Sequence, residues 1–245
     1  IEYHTALTQS PSELTPLSGL TLHAAVLGGG NFYHFFMEAL PKLFFAGKWL
    51  SEIDHLLIDK PCHPNQLAWL EPLSLSCEVH ELTANTNFLC EHVLFTSRLV
   101  NHVEPNPWVV QSLREAFLPL AQKRELPSRI VVASRKNAAT RSDHGISQLV
   151  DALPEAELIA FDELSPADIV TLCQQIKVFI GCHGAAFANT VFLPRDAIVV
   201  EICQTDHYPY YVRLSQVMGL KHYQIRLQND HWSEVIDKVV KLLVC

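Results

Sequence analysis

Glycine, methionine and charge are all scarce in this chain of 245 residues, which has 9 glycines, 2 methionines and 18% charged residues. No apolar run approaches the roughly 20 residues needed to cross a bilayer, and no basic region followed by an apolar segment opens the chain as a signal would. These absences predict a soluble, cytoplasmic protein with no membrane span, for which peripheral association is the one membrane contact left. The chain starts at Ile1 rather than methionine, as a processed polypeptide or a piece of a longer one would, so the expectation covers only this segment. Basic residues are also short: Lys+Arg 18 against Asp+Glu 26 gives a formal net charge of -8, which opposes general binding to nucleic acid. An anionic ligand must therefore be held by a local constellation. The seven cysteines are scattered, odd in number and without a C-x-x-C pair, which argues for reduced, packed thiols rather than zinc or redox chemistry. Several motifs are missing outright. "GGGNFY" fails G-x-G-x-x-G because Tyr33 stands where the last glycine belongs, and there is no P-loop, G-x-S-x-G, H-E-x-x-H or D-x-D. Chemistry without a metal or cofactor is the expectation.

What is present is a rhythm of short apolar runs and helical patterns. Hydrophobic residues make up 49% of the chain, enough for a real core. "DHLLID", "RIVVAS", "KVFIG", "AIVVEI" and "HYQIRL" read as strands, and the segments between them carry helical spacing. Alternating strands and helices predict an α/β fold with parallel sheets, arranged as two Rossmann-like lobes. The charged, proline-containing "KRELPS" at 123–128 is the best linker, which divides the chain into lobes 1–125 and 126–245. In the first lobe Asn31 is expected to cap a helix that Pro41 should kink or end.

The polar residues of interest lie where strands end, the usual ligand position in open parallel sheets. "KVFIGCHGAAFANTVFLP" stops a strand at His183, set between two glycines, and then begins an alanine-rich helical segment. Its first N–H groups at Gly184, Ala185 and Ala186, beside small side chains, suit a diphosphate; a plain tight turn with a capping or core histidine is the other reading. The loop "SRKNAATRSDHG" puts Arg135 and Arg141 directly after a strand, either for bidentate phosphate contacts or as a solvated loop. Glu201 ends an apolar run, either as an acceptor for ribose hydroxyls or as a buried carboxylate satisfied by partners. Asn31, His34 and Glu38, spaced by three and four, share one helical face amid aromatic residues. His34 and Glu38 are types that take a proton from an attacking hydroxyl.

Taken together, "NFYHFFMEALPKL", "ASRKNAATR", "GCHGAAFANTVFLPRDAIVVEI" and "YYVRLSQVMGLKHYQI" resemble glycosyltransferase family 61 in order and content. The resemblance implies a GT-B architecture and metal-independent, inverting transfer of a hexose or pentose from a nucleotide-sugar donor to a hydroxyl of a glycan or other acceptor. It places the donor diphosphate at His183, Gly184, Ala185 and Ala186 with Arg135 and Arg141, and puts Asn189 one turn in, bracing the turn or touching ligand. Asn31, His34 and Glu38 fall on the acceptor side, in the first lobe, with Glu38 the first choice of base and His34 the second. Relatives of this kind serve capsule and other polysaccharide biosynthesis or protein glycans, and the former is the expectation. A non-catalytic nucleotide-sugar-binding or assembly subunit is the alternative. The oligomeric state has no signature in the sequence.

Overall fold

The computed structural model describes residues 14–100, 104–122, 125–134, 145–204, 209–229 and 231–244. The chain forms two compact units, the first ending at Cys62 and resuming over Ser74–Arg98, the second comprising His63–Leu73 and Leu99–Cys245. Each is built on a parallel sheet, as the alternating pattern predicts.

In the first unit, β1 (Thr15–His23), β2 (His55–Asp59), β3 (Glu78–Leu82) and β4 (Phe88–Phe95) lie in the order β3-β2-β1-β4. All the pairings are parallel, with Thr21 opposite His55 and His23 opposite Phe95. β2 is short and apolar at Leu56, Leu57 and Ile58, all buried, as a strand flanked on both sides should be. Between β1 and β2 runs a helical segment that begins at Phe32 and continues through a π-helical stretch, Phe35–Ala39, into an α-helix, Leu40–Ala46. Phe35, Phe36, Leu40 and Leu43 bury its apolar face. Pro41 does not end this helix. The Leu40 N–H reaches back to the Phe35 carbonyl, and this wider turn precedes the residue that lacks an N–H and whose ring would crowd an ordinary helical turn.

The second unit orders its strands β6-β5-β7-β8-β9, from β5 (Arg129–Ala133), β6 (Ala156–Ile159), β7 (Ile176–Cys182), β8 (Ile198–Cys203) and β9 (Lys221–Arg226). Val132, Val178, Ile180, Val200 and Ile202 form one core with Ile146, Leu149 and the Val235 and Val239 face of the final helix, Trp232–Val244. Helix Pro107–Phe117, capped by Asn106, lies on the first-lobe side of the division expected at 125 but packs in this unit. Its Phe117 meets Trp69 edge-on at 5.0 Å, and Trp69 stacks on Phe192 at 5.7 Å. Trp69 comes from "HPNQLAWLEPL", which forms two 3-10 turns, Pro64–Trp69 and Glu71–Leu73. The segment after His183 is likewise a 3-10 helix, Ala185–Phe192.

Candidate functional site

In each sheet one strand is flanked by neighbours whose connections leave it in opposite directions, which opens a crevice beyond its carboxyl end. In the second unit that strand is β5, between β6 and β7; in the first it is β1, between β2 and β4. The candidate residues among those described gather at these two places.

β7 ends at Gly181-Cys182, with Gly181 opposite Ala133 of β5. A Cβ on Gly181 would sit 3.2 Å from the Ala133 Cβ and 3.3 Å from the Phe187 ring, so glycine lets the two strand ends close up. His183 follows, its N–H donating to the Ile202 carbonyl at 2.9 Å. Phe187 donates the first bond of the following turn to Gly184 at 3.1 Å, so the N–H groups of Gly184, Ala185 and Ala186 precede the internal ladder of the 3-10 helix. β5 leads through Ser134 into the arginine loop; Arg135 and Arg141 lie outside the described residues.

Glu201 lies in β8. Its carboxylate is 1% exposed and both oxygens are engaged, Oε1 by His183 Nδ1 at 2.5 Å and Oε2 by His222 Nε2 at 3.0 Å and Gln224 Nε2 at 2.8 Å. It is a buried carboxylate satisfied by protein partners, and its bond to Nδ1 orients His183. Burial by itself would raise its pKa, but hydrogen bonds from His183, His222 and Gln224 outweigh that and hold it at about 2. An ionised carboxylate only accepts, so all three partners must donate. His222, donating from Nε2, accepts from Ser215 Oγ at Nδ1, 2.8 Å away. His183 donates from Nδ1, which fixes the orientation of its ring and directs Nε2 away from Glu201. The result is a chain from Ser215 through His222 and Glu201 to a half-buried imidazole at the strand end. Cys203, beside it, has its thiol pushed up to about 12 by burial, the Glu201 charge and Cys182, which disfavours its thiolate. Asn189 braces the turn: its Nδ2 donates to the Ala186 carbonyl at 3.1 Å, and the residue is buried.

In the first unit, the glycine turn Gly28–Gly30 brings the chain from β1 to the helix. Gly28 has φ +78, and its would-be Cβ lies 3.1 Å from the His34 ring, while one on Gly29 would overlap the Asp59 carboxylate at 2.1 Å. Asn31 caps the helix as expected, its Oδ1 accepting from Tyr33 N–H at 2.9 Å. His34 Nδ1 and Glu38 Oε1 are 3.2 Å apart, and Glu38 is 4% exposed against 26% for the His34 side chain. Glu38 lies inside the π-helical stretch, a local irregularity common at functional sites.

Residues that sequence reasoning passed over complete both places. Lys42, one turn past Glu38, is buried with Nζ donating to the Ala25 carbonyl at 2.9 Å and lying 5.9 Å from the Phe95 ring centre. Burial lowers its pKa, against the opposing charges of Asp59 and Glu38. Asp59 accepts from Val26 N–H at 2.8 Å, tying the end of β2 to the glycine turn. The signals were a lone lysine in "ALPKLFF" and an aspartate ending "LLID". For His222 and Gln224, the signal was their two-residue spacing on β9, which puts both on the face that meets Glu201.

The family model described as Glycosyltransferase 61 matches residues 32–200. The match takes in His34, Glu38, the His183 turn and the apolar run leading to Glu201. Among curated proteins, protein O-linked-mannose beta-1,4-N-acetylglucosaminyltransferase 2 of Xenopus tropicalis is 33% identical over 82 residues, covering 32% of this chain and 14% of that protein. The human protein of the same name is 33% identical over 66 residues, 25% of this chain and 11% of its own length. The bovine one is 32% identical over 75 residues, 29% and 13% respectively. The chain thus matches only a small part of each of these relatives.

Proposed function

Because the chain belongs to the glycosyltransferase 61 family, we propose that it transfers a sugar from a nucleotide-sugar donor to an acceptor hydroxyl, as a GT-B-type, inverting and metal-independent enzyme. The observation that carries the reading is the placement of the family-matched turn His183-Gly184-Ala185-Ala186 at the carboxyl end of β7, next to β5, with its histidine held by a buried carboxylate. The donor diphosphate rests on the first N–H groups of that turn and on His183, with Arg135 and Arg141 as cationic partners. The first unit supplies the acceptor side. Burial of Glu38 behind His34 reverses the order of candidate bases: His34 takes the proton, and Glu38 orients the ring and stabilises the imidazolium.

In the reaction, the acceptor oxygen forms a bond to the anomeric carbon while the bond from that carbon to the diphosphate oxygen breaks. The proton goes to His34, and the electron pair leaves with the nucleoside diphosphate, whose charge the turn N–H groups and Arg135 stabilise. The named relatives transfer N-acetylglucosamine onto O-linked mannose, so that donor and a mannosyl acceptor are the first to test.

The test is transfer by the purified chain with nucleotide-sugar donors against mannosyl-peptide and polysaccharide acceptors, with and without chelator. Product in the presence of chelator, lost in His34→Ala, is expected. Donor binding with no transfer to any acceptor would favour the non-catalytic binding subunit.

A further inference from the structure

At the amino ends of β2 and β3, opposite the strand ends just described, three side chains converge in a way that no sequence motif announces. His55 opens β2, and Glu78 opens β3 directly across from it in the parallel register. His80 lies two residues beyond Glu78 and so on the same face of the strand. His55 Nδ1 and His80 Nε2 are 3.0 Å apart, and Glu78 Oε2 is 3.7 Å from each. Two aromatic nitrogens and a carboxylate oxygen thus form a triangle, and both histidines are largely covered.

We propose that His55, His80 and Glu78 bind a divalent transition-metal ion, best matched by zinc. In a tetrahedral site with ligands about 2.0–2.1 Å from the ion, neighbouring ligand atoms are about 3.3 Å apart. The observed edges of 3.0, 3.7 and 3.7 Å bracket that value, so small side-chain shifts seat an ion. The outer contacts agree. β1 breaks register between Leu17 and Leu20, and inside that break the Ser18 carbonyl lies 3.1 Å from His55 Nε2. A proton on Nε2, donated to that carbonyl, leaves the Nδ1 lone pair aimed at the triangle, the arrangement that commonly orients a metal-bound histidine. The Phe88 ring, 5.2 Å from that of His80, forms an apolar wall. Imidazole and carboxylate ligands suit zinc, whereas magnesium and calcium prefer all-oxygen sites. The ion would join the edge strand β3 to β2 and, through His55, to β1. Because the cluster is at the other end of the sheet from His34 and Glu38, this role is separate from sugar transfer.

The test strips the full chain with chelator, equilibrates it with micromolar zinc and measures bound metal by elemental analysis, alongside melting temperature. One zinc per chain and a higher melting temperature are expected for the wild type. His80→Gln, close to the native side chain in size, should weaken zinc binding by about 100-fold, the upper end of what losing even an outer partner costs. Glu78→Gln, at an exposed carboxylate, should abolish the zinc-induced rise in melting temperature at the same metal concentration. Wild-type protein that takes up no zinc, or variants that hold as much as the wild type with the same thermal response, would overturn the proposal and leave a plain His–His hydrogen bond.

Discussion

The two polar constellations are assembled by different physics. In the first unit, His34, Glu38 and Lys42 follow one another at helical spacing, so their meeting is local and depends on one helix being properly started and bent. In the second, Ser215, His222, Glu201 and His183 come from a helix, two strands and a turn, and only the register of β7, β8 and β9 brings them together. A site on one helix can be retuned by a single substitution, whereas one fixed by sheet register resists slippage, because a one-residue shift would turn every side chain to the other face. The first arrangement suits a proton acceptor, the second a rigid cradle. The predicted effects of substitution separate the two.

The largest effect is expected from His34→Ala, which should lower the turnover number by about 10²–10⁴-fold, the usual worth of a general base, with donor affinity unchanged. Steady-state kinetics read this directly, and an equal loss of donor binding would assign His34 to the donor instead.

Glu201→Gln should act first on stability. A carboxylate whose folded pKa is depressed to about 2 contributes stability above its unfolded pKa, near 4.3, and loses it as pH falls through the folded value. The wild type should therefore lose about 3 kcal/mol from this group between roughly pH 5 and pH 2, and the variant should be destabilised by a similar amount at neutral pH with a flatter acid limb. Urea denaturation across that range checks the sign; an unchanged midpoint would mean that the network is not holding the site.

His183→Ala should weaken nucleoside diphosphate binding by about 10–100-fold, the cost of one hydrogen bond to a charged group, as titration calorimetry would show. The smallest effect belongs to Asn31→Ala, which removes an N-cap and should cost about 1 kcal/mol, recovered by Asn31→Ser or Asn31→Asp. A turnover defect that Asn31→Ser does not recover would show that Asn31 contacts the acceptor as well as capping the helix.

How far the sequence foretold all this follows the same division. The Asn31 cap and the His34–Glu38 pair were legible because they depend on spacings of two to four residues. β7 and its stop at His183 were legible because an apolar run broken by glycines leaves few alternatives. The π-helical stretch was hidden, since Pro41 reads locally as an ending and only the buried face of Phe35, Phe36, Leu40 and Leu43 keeps the helix going past it. The partners of Glu201 were hidden for a different reason. His222 and Gln224 lie some twenty residues away, and only pairing of β8 with β9 makes them its neighbours. The same holds for His55 and His80, joined by the register of β2 with β3. Arg135 and Arg141, so prominent in the sequence, lie outside the described residues and enter the account through their position after β5 alone.

In the proposed function the His183 turn binds donor while the helix of the first unit performs proton transfer. Measuring nucleotide-sugar affinity and single-turnover transfer side by side for His183→Ala and His34→Ala tests it most directly. His183→Ala is expected to lose affinity, whereas His34→Ala should bind donor like the wild type and fail to transfer. Wild-type donor affinity in His183→Ala, with normal transfer in His34→Ala, would contradict it.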